Sequence, residues 1–176
     1  MFLVNVHIIP HTTELGYSAA VAATVLSAAG GASIFGRILM GHFADRIGNR
    51  KVMIIGFILL TISLLWLIIS RELWALYLFA VIFGYAYGGV GASESPLIAW
   101  LFGLKSHGLI FGISDFFFTI GASIGPVLAG YVFDITKSYQ IAFVIGAIVA
   151  SIGIALMIVI KPINQKSLHK ESSAAQ

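Results

Sequence analysis

The chain has 176 residues, of which 59% are hydrophobic and 10% charged, and it contains no cysteine. A soluble domain carries about 25% charged residues, so this composition excludes a soluble globular protein and indicates helices in a lipid bilayer. Its ten Lys and Arg residues are spread along the chain for a formal net charge of +3, which excludes a nucleic-acid-binding module. The lack of cysteine excludes a disulfide scaffold, a thiolate metal site and a cysteine nucleophile.

Five long apolar runs predict membrane-spanning helices, because a span needs about 20 apolar residues. They cover residues 18–41, 52–70, 73–102, 109–133 and 141–160. Residues 1–9 are apolar but too few to cross a bilayer of about 30 Å, and we interpret them as the end of a helix whose beginning is missing. The prediction is an all-α, polytopic membrane bundle of five full spans and a truncated sixth. Its membrane domain covers residues 1–162, and a disordered cytoplasmic tail covers residues 163–176.

Basic residues in the predicted connections set the orientation. If the carboxyl tail is cytoplasmic, seven basic residues lie on that side and only Arg71 and Lys137 on the other; the seven are Arg46, Arg50, Lys51, Lys105, Lys161, Lys166 and Lys170. This excess is the positive-inside bias of membrane proteins. We therefore expect a multi-pass protein of the cell's inner (plasma) membrane with a cytoplasmic carboxyl tail.

A string of small and charged residues between the first two spans reads G-x-x-x-D-R-x-G-x-R-K; its fixed positions are Gly41, Asp45, Arg46, Gly48, Arg50 and Lys51. We predict a tight basic loop in which Gly48 permits the turn and Arg50 and Lys51 bind the anionic leaflet. Asp45 is expected at a helix N-terminus, or paired with an arginine in one conformation and released in another. From the residues alone, a positive-inside anchor with a turn remains an alternative.

In the order of its residues, this string resembles the signature loop of the major facilitator superfamily, with Asn49 standing where the family more often has a basic residue. The fourth span carries Gly121, Gly125, Pro126 and Gly130, and is similar to the eleventh helix of the monocarboxylate and oxalate/formate transporter branch. The resemblance implies a carboxyl-terminal half, from the end of helix seven to helix twelve. Its partner would be the missing amino-terminal six-helix half. We expect these small residues, and the glycines between Gly84 and Gly91 in the third span, to pack closely against other helices.

Arg37 is the candidate substrate-binding residue. A charged side chain inside a span costs about 2.5–3.5 kcal/mol, so it normally faces a cavity, and a guanidinium binds a carboxylate through two parallel hydrogen bonds. The resemblance implies the same role, since an arginine at this place in the eighth helix is implicated in binding the anionic substrate. The alternatives are that Arg37 reaches the cytoplasmic interface or pairs with Asp45. The fourth span has no Lys or Arg, and a single fixed cation favours a monocarboxylate over a dianion.

Glu94 is the second candidate, because burial in a membrane favours the neutral form of a carboxyl group and allows it to load and release a proton. It lies in the third span, beside Ser93, Ser95 and Pro96. Two other interpretations stay open: a hydrogen bond to Ser93 or Ser95, or an ion pair with Arg37 in the empty carrier.

His7 and His11 have the spacing of a helical zinc pair, but Ile8 stands in the place of the general-base glutamate and Pro10 is expected to break the helix. We therefore predict no metal, no cofactor and no enzymatic activity. The expected function is transport of a small organic anion by alternating access, with a proton or a counter-anion as the second species and membrane lipids as the solvent. The competing interpretation is an inactive fragment, or a receptor or scaffold that keeps the fold without transporting.

Overall fold

The computed structural model describes residues 2–136 and 138–160, which fold into six helices joined by short connections. These are α1 (Phe2–Glu14), α2 (Ala19–Ile47), α3 (Asn49–Ile69), α4 (Leu73–Phe102), α5 (His107–Thr136) and α6 (Gln140–Val159). The last five are long and apolar enough to cross a membrane. The predicted all-α membrane bundle is confirmed. The predicted tail at 163–176 lies outside the described residues.

The connection between α2 and α3 differs from the predicted loop. Helix α2 continues to Ile47 and α3 begins at Asn49, so Gly48 alone separates them, with φ at +92°. Residues 42–47 contain neither glycine nor proline, so helical hydrogen bonding continues beyond the apolar segment. The prediction of a basic loop over 41–51 is therefore wrong. Asp45 lies in the last turn of α2 rather than at a helix N-terminus.

Prolines lie inside three of the helices without ending them: Pro10 in α1, Pro96 in α4 and Pro126 in α5. The expectation that Pro10 breaks the first helix is wrong, because α1 continues to Glu14. A proline removes a single backbone N–H, and the hydrogen bonds on either side keep the rest of a membrane helix intact.

Glycine brings α2 and α4 into backbone contact. A Cβ atom at Gly84 would overlap the carbonyl of Ala29, and one at Gly88 would overlap the carbonyl of Ser33. Because the contacting positions advance together along both helices, α2 and α4 run parallel. Small residues permit such an approach where lipid provides no hydrophobic driving force.

The apolar core surrounds α4 and leaves α5 at its edge. Phe79 and Phe83 of α4 are buried with Leu60 and Leu64 of α3. In α5, by contrast, Ala129 alone is fully buried. Helix α5 therefore presents most of its surface outside this bundle.

Candidate functional site

Arg37 and Glu94 lie in the C-terminal halves of α2 and α4. Gly88 of α4 touches Ser33 of α2, which in a parallel pair places Arg37 level with Ala92. The contact of Gly36 with Tyr85 places Arg37 nearer the level of Ala86, so the two contacts bracket a separation from Glu94 of about 3–12 Å along the helix axis. The two intramembrane charges predicted from the sequence therefore lie in the same half of the parallel helix pair.

The Arg37 side chain is exposed on α2. Next to it, Gly36 packs against the backbone of Tyr85, which holds this turn of α2 against α4. Within residues 2–136 and 138–160, Arg37 makes no hydrogen bond and no ion pair, so pairing with Asp45 or Glu94 is not seen there. Its five N–H donors are thus available to an anion.

Glu94 is half-buried and hydrogen-bonded to α5. The hydroxyl of Ser114 donates to its Oε1 atom at 2.8 Å. The expected bond to Ser93 or Ser95 is not the one that forms: the Ser93 hydroxyl is buried without a partner in the described part of the chain. Ser95 instead lies 3.2 Å from Nε2 of His107, again across the interface between α4 and α5.

Sequence reasoning missed Ser114 and His107 as partners of this segment. The two residues are seven apart, which is close to two turns, so they lie on the same face of α5. This spacing is a weak signal, since a serine or histidine costs too little in a helix to interrupt an apolar run.

The signature residues lie on two consecutive helices. Gly41, Asp45 and Arg46 are on α2, Gly48 is the connection, and Arg50 and Lys51 are in the first turn of α3. Nε of Arg50 donates to the carbonyl of Met157 at 2.8 Å, and its Nη2 donates to the carbonyl of Ile158. Arg50 therefore satisfies carbonyl groups at the C-terminal end of α6 instead of facing the leaflet as expected.

The small residues of α5 have few contacts in the described bundle. A Cβ atom at Gly121 or Gly130 would meet no atom of the described residues within 4 Å. Pro126 has one polar contact, since Nε2 of His7 donates to its carbonyl at 3.0 Å and joins α1 to α5. Close helix packing through Gly121, Gly125, Pro126 and Gly130 therefore stays a prediction.

At the opposite end of the bundle, a small polar cavity of about 200 Å³ is lined by His11, Glu14, Arg71 and Tyr139, among others. Burial raises the pKa of Tyr139, and the nearby carboxylates of Glu14 and Asp134 raise it further. In the described part of the chain, no group of three His, Cys, Asp or Glu side chains is arranged to hold a metal ion. Arg37 and Glu94 therefore remain the candidate site residues.

Comparison with known proteins identifies relatives. The sequence profile of the Major Facilitator Superfamily matches residues 1–176. Monocarboxylate transporter 7 of Homo sapiens is 35% identical over 146 residues, which are 81% of this chain and 28% of that protein. Vacuolar membrane amino acid uptake transporter fnx2 of Schizosaccharomyces pombe is 33% identical over 107 residues, 61% of this chain and 18% of that protein. Monocarboxylate transporter 4 of Gallus gallus is 27% identical over 152 residues, 84% and 32% respectively. The chain thus spans between 18% and 32% of the length of these three relatives.

Proposed function

Because the chain belongs to the Major Facilitator Superfamily, we propose that it is part of a membrane carrier that moves a small organic anion, a monocarboxylate, by alternating access. The observation that carries this proposal is Arg37, an exposed guanidinium on a membrane-spanning helix that has no partner among the described residues. Two of the relatives described above are named monocarboxylate transporters, which supports the substrate class.

In this proposal Arg37 binds the carboxylate of the substrate. A planar guanidinium can offer two parallel N–H groups to the two oxygens of a carboxylate, and the ammonium of a lysine cannot reproduce that geometry. Gly36 contributes indirectly, because its contact with Tyr85 fixes the turn that carries Arg37. Binding energy is then available to favour the conformation in which Arg37 faces the solute.

Glu94 is the proposed proton-binding group. Its carboxylate accepts a hydrogen bond from the Ser114 hydroxyl across the interface between α4 and α5. Taking up a proton weakens the bond and loosens the contact between α4 and α5. Symport with a proton is the mechanism this arrangement favours, and exchange against a second anion is the alternative.

A substrate site between two halves explains the large exposed surfaces. Helix α5 buries only Ala129 fully, and the outer face of α2 exposes Phe35, Ile38 and Leu39. We propose that a further six-helix half covers these faces in the working carrier and that the substrate lies between the halves. Gly48, Asp45 and Arg46 then form the switch at the end of α2 that moves when the halves rock. In the cell we place the carrier in the plasma membrane with its carboxyl tail in the cytoplasm.

Uptake into proteoliposomes tests the proposal. The protein encoded by the complete reading frame that contains this chain is purified and reconstituted into liposomes. Uptake of a labelled monocarboxylate is then measured with and without an inward proton gradient. We expect uptake to rise with the gradient and Arg37→Lys to reduce it at least tenfold. Arg71→Lys is the matched control, because Arg71 is exposed in the short connection between α3 and α4. Undiminished uptake by Arg37→Lys would overturn the binding role.

The competing interpretation, a receptor, a scaffold or an inactive fragment, makes a different prediction. Such a protein would bind or assemble but would give no uptake above that of empty liposomes. Assaying the 176-residue chain alone, in parallel with the protein encoded by the complete reading frame, distinguishes a fragment from a receptor or scaffold. Uptake by the complete protein but not by the 176-residue chain would identify the chain as one wall of the substrate site.

A further inference from the structure

Two hydrogen bonds from one short segment of α4 join it to α5. Ser114 donates to Oε1 of Glu94 at 2.8 Å, and the Ser95 hydroxyl lies 3.2 Å from Nε2 of His107. Glu94 and Ser95 are consecutive, and their partners lie on one face of α5. We call these four residues the α4–α5 polar junction. It contains a carboxyl group and an imidazole, two kinds of side chain that act as proton donors and acceptors in proteins.

His107 occupies the end of this junction nearest the predicted cytoplasmic side. It is the first residue of α5 and follows the connection that contains Lys105. The imidazole is half-buried and stacks on Phe111, with ring centroids 6.0 Å apart. A proton that enters from this side therefore meets His107 before Glu94.

The two ring nitrogens of His107 have different surroundings. Nε2 contacts the Ser95 hydroxyl, whereas Nδ1 is buried without a hydrogen-bond partner among the described residues. A neutral imidazole with its proton on Nε2 satisfies this arrangement. A second proton on Nδ1 would lie buried without an acceptor, which is costly. Charging His107 therefore requires the end of α5 to move until Nδ1 reaches water or another acceptor.

We propose that His107 is a second proton-carrying residue of this carrier, passing a proton between the predicted cytoplasmic side and Glu94. This inference rests on the proposed function, in which Glu94 takes up the proton. The imidazolium gives its Nε2 proton to the Ser95 hydroxyl, and Ser95 gives its own proton to a bridging water. The water in turn protonates the Glu94 carboxylate. A carboxylic acid, an intact hydroxyl, an intact water and a neutral imidazole with its proton on Nδ1 remain. While Nδ1 is still in contact with water, exchange with that water returns the proton to Nε2, and Nδ1 is then buried again without a proton. Release from Glu94 follows the same steps in reverse.

Charged and titratable groups lie on the elements around the junction. Arg37 lies in the C-terminal half of α2, as Glu94 does on α4, and Asp115 and Lys105 flank the partners on and before α5. On α3, Arg50 is bound to α6 carbonyls, and Lys51 is exposed. On α1, His7 is bound to Pro126.

Two transport assays on the complete carrier separate proton transfer from a structural role. Net uptake driven by a proton gradient requires the proton to bind and leave in every cycle, whereas exchange of labelled for unlabelled substrate at equal pH does not. His107→Gln keeps a side-chain N–H for Ser95 but cannot ionise. We expect this variant to retain at least half of the wild-type exchange rate, whereas its gradient-driven uptake should fall at least fivefold. His42→Gln is the matched control, since His42 is exposed near the C-terminal end of α2, on the predicted cytoplasmic side.

The two assays of His107→Gln distinguish proton transfer from a structural role. Full gradient-driven uptake by His107→Gln would overturn the proposal, and so would loss of exchange together with net uptake, which indicates a structural role. If His107→Gln does not reach the membrane, His107→Asn is measured by the same criteria. Failure of the proposed function has a different signature: the wild-type carrier would then show no response to a proton gradient, or no uptake at all.

Discussion

Gly84 of α4 lies directly against the carbonyl group of Ala29 in α2, so that the two helices meet there without a side chain between them. Any Cβ atom at this position must push the helices apart, because the obstructing atoms are backbone. Overpacking of this kind costs about 1–3 kcal/mol. We expect Gly84→Ala to lower the thermal unfolding temperature of the purified complete carrier. The control is Gly91→Ala on the same helix, where a Cβ atom meets nothing in the described bundle within 4 Å.

The close approach of helices was predictable from sequence, but the helices involved were not. Spacing of small residues drew attention to Gly121 and Gly130, where a Cβ atom meets no described residue within 4 Å, as well as to Gly84 and Gly88, which contact α2. The sequence shows where small residues recur along a helix, but it does not show which other helix packs against them.

The polar residues of the candidate site could be predicted in part. Arg37 and Glu94 are visible in the sequence because a charge within an apolar run is costly. Ser114 and His107 are not visible, because their role depends on the packing of α5 against α4. The expected loop over 41–51 failed for a different reason: a charged residue can end the apolar segment without ending the helix.

Arg50 connects the start of α3 to the end of α6 through two hydrogen bonds to backbone carbonyls. A hydrogen bond to a charged group contributes about 1.5–3 kcal/mol. Because both bonds come from one half-buried guanidinium, we expect Arg50→Ala to lower the free energy of unfolding by an amount in this range rather than by twice as much, and to accelerate hydrogen exchange in the last turn of α6. Lys105→Ala removes an exposed basic residue from the connection before α5 and serves as the control. Equal stability of the two variants would show that the contacts with α6 contribute nothing.

Gly48 has φ at +92° and ψ at 143°, a combination that residues with a Cβ atom rarely adopt. A Cβ atom at Gly48 has no steric neighbour within 4 Å in the described part of the chain, so the expected cost of Gly48→Ala is conformational, about 1–3 kcal/mol. We expect a lower unfolding temperature and slower exchange of labelled substrate, because the turn between α2 and α3 is part of the proposed switch. Gly30→Ala, within α2 and open to space, controls for the added methyl group. Unchanged exchange with lowered stability would limit Gly48 to a structural role.

The hydrogen bond from Ser114 to Glu94 leads to a prediction about stability and uptake. The Ser114 hydroxyl donates to Oε1 of Glu94 at 2.8 Å and joins α5 to α4. A hydrogen bond to a charged group contributes about 1.5–3 kcal/mol. We expect Ser114→Ala to lower the free energy of unfolding of the complete carrier by an amount in this range and to reduce uptake driven by a proton gradient. Ser123→Ala is the control, since Ser123 is exposed and donates within α5, to Thr119. Equal stability and equal gradient-driven uptake in the two variants would show that the bond between Ser114 and Glu94 contributes to neither.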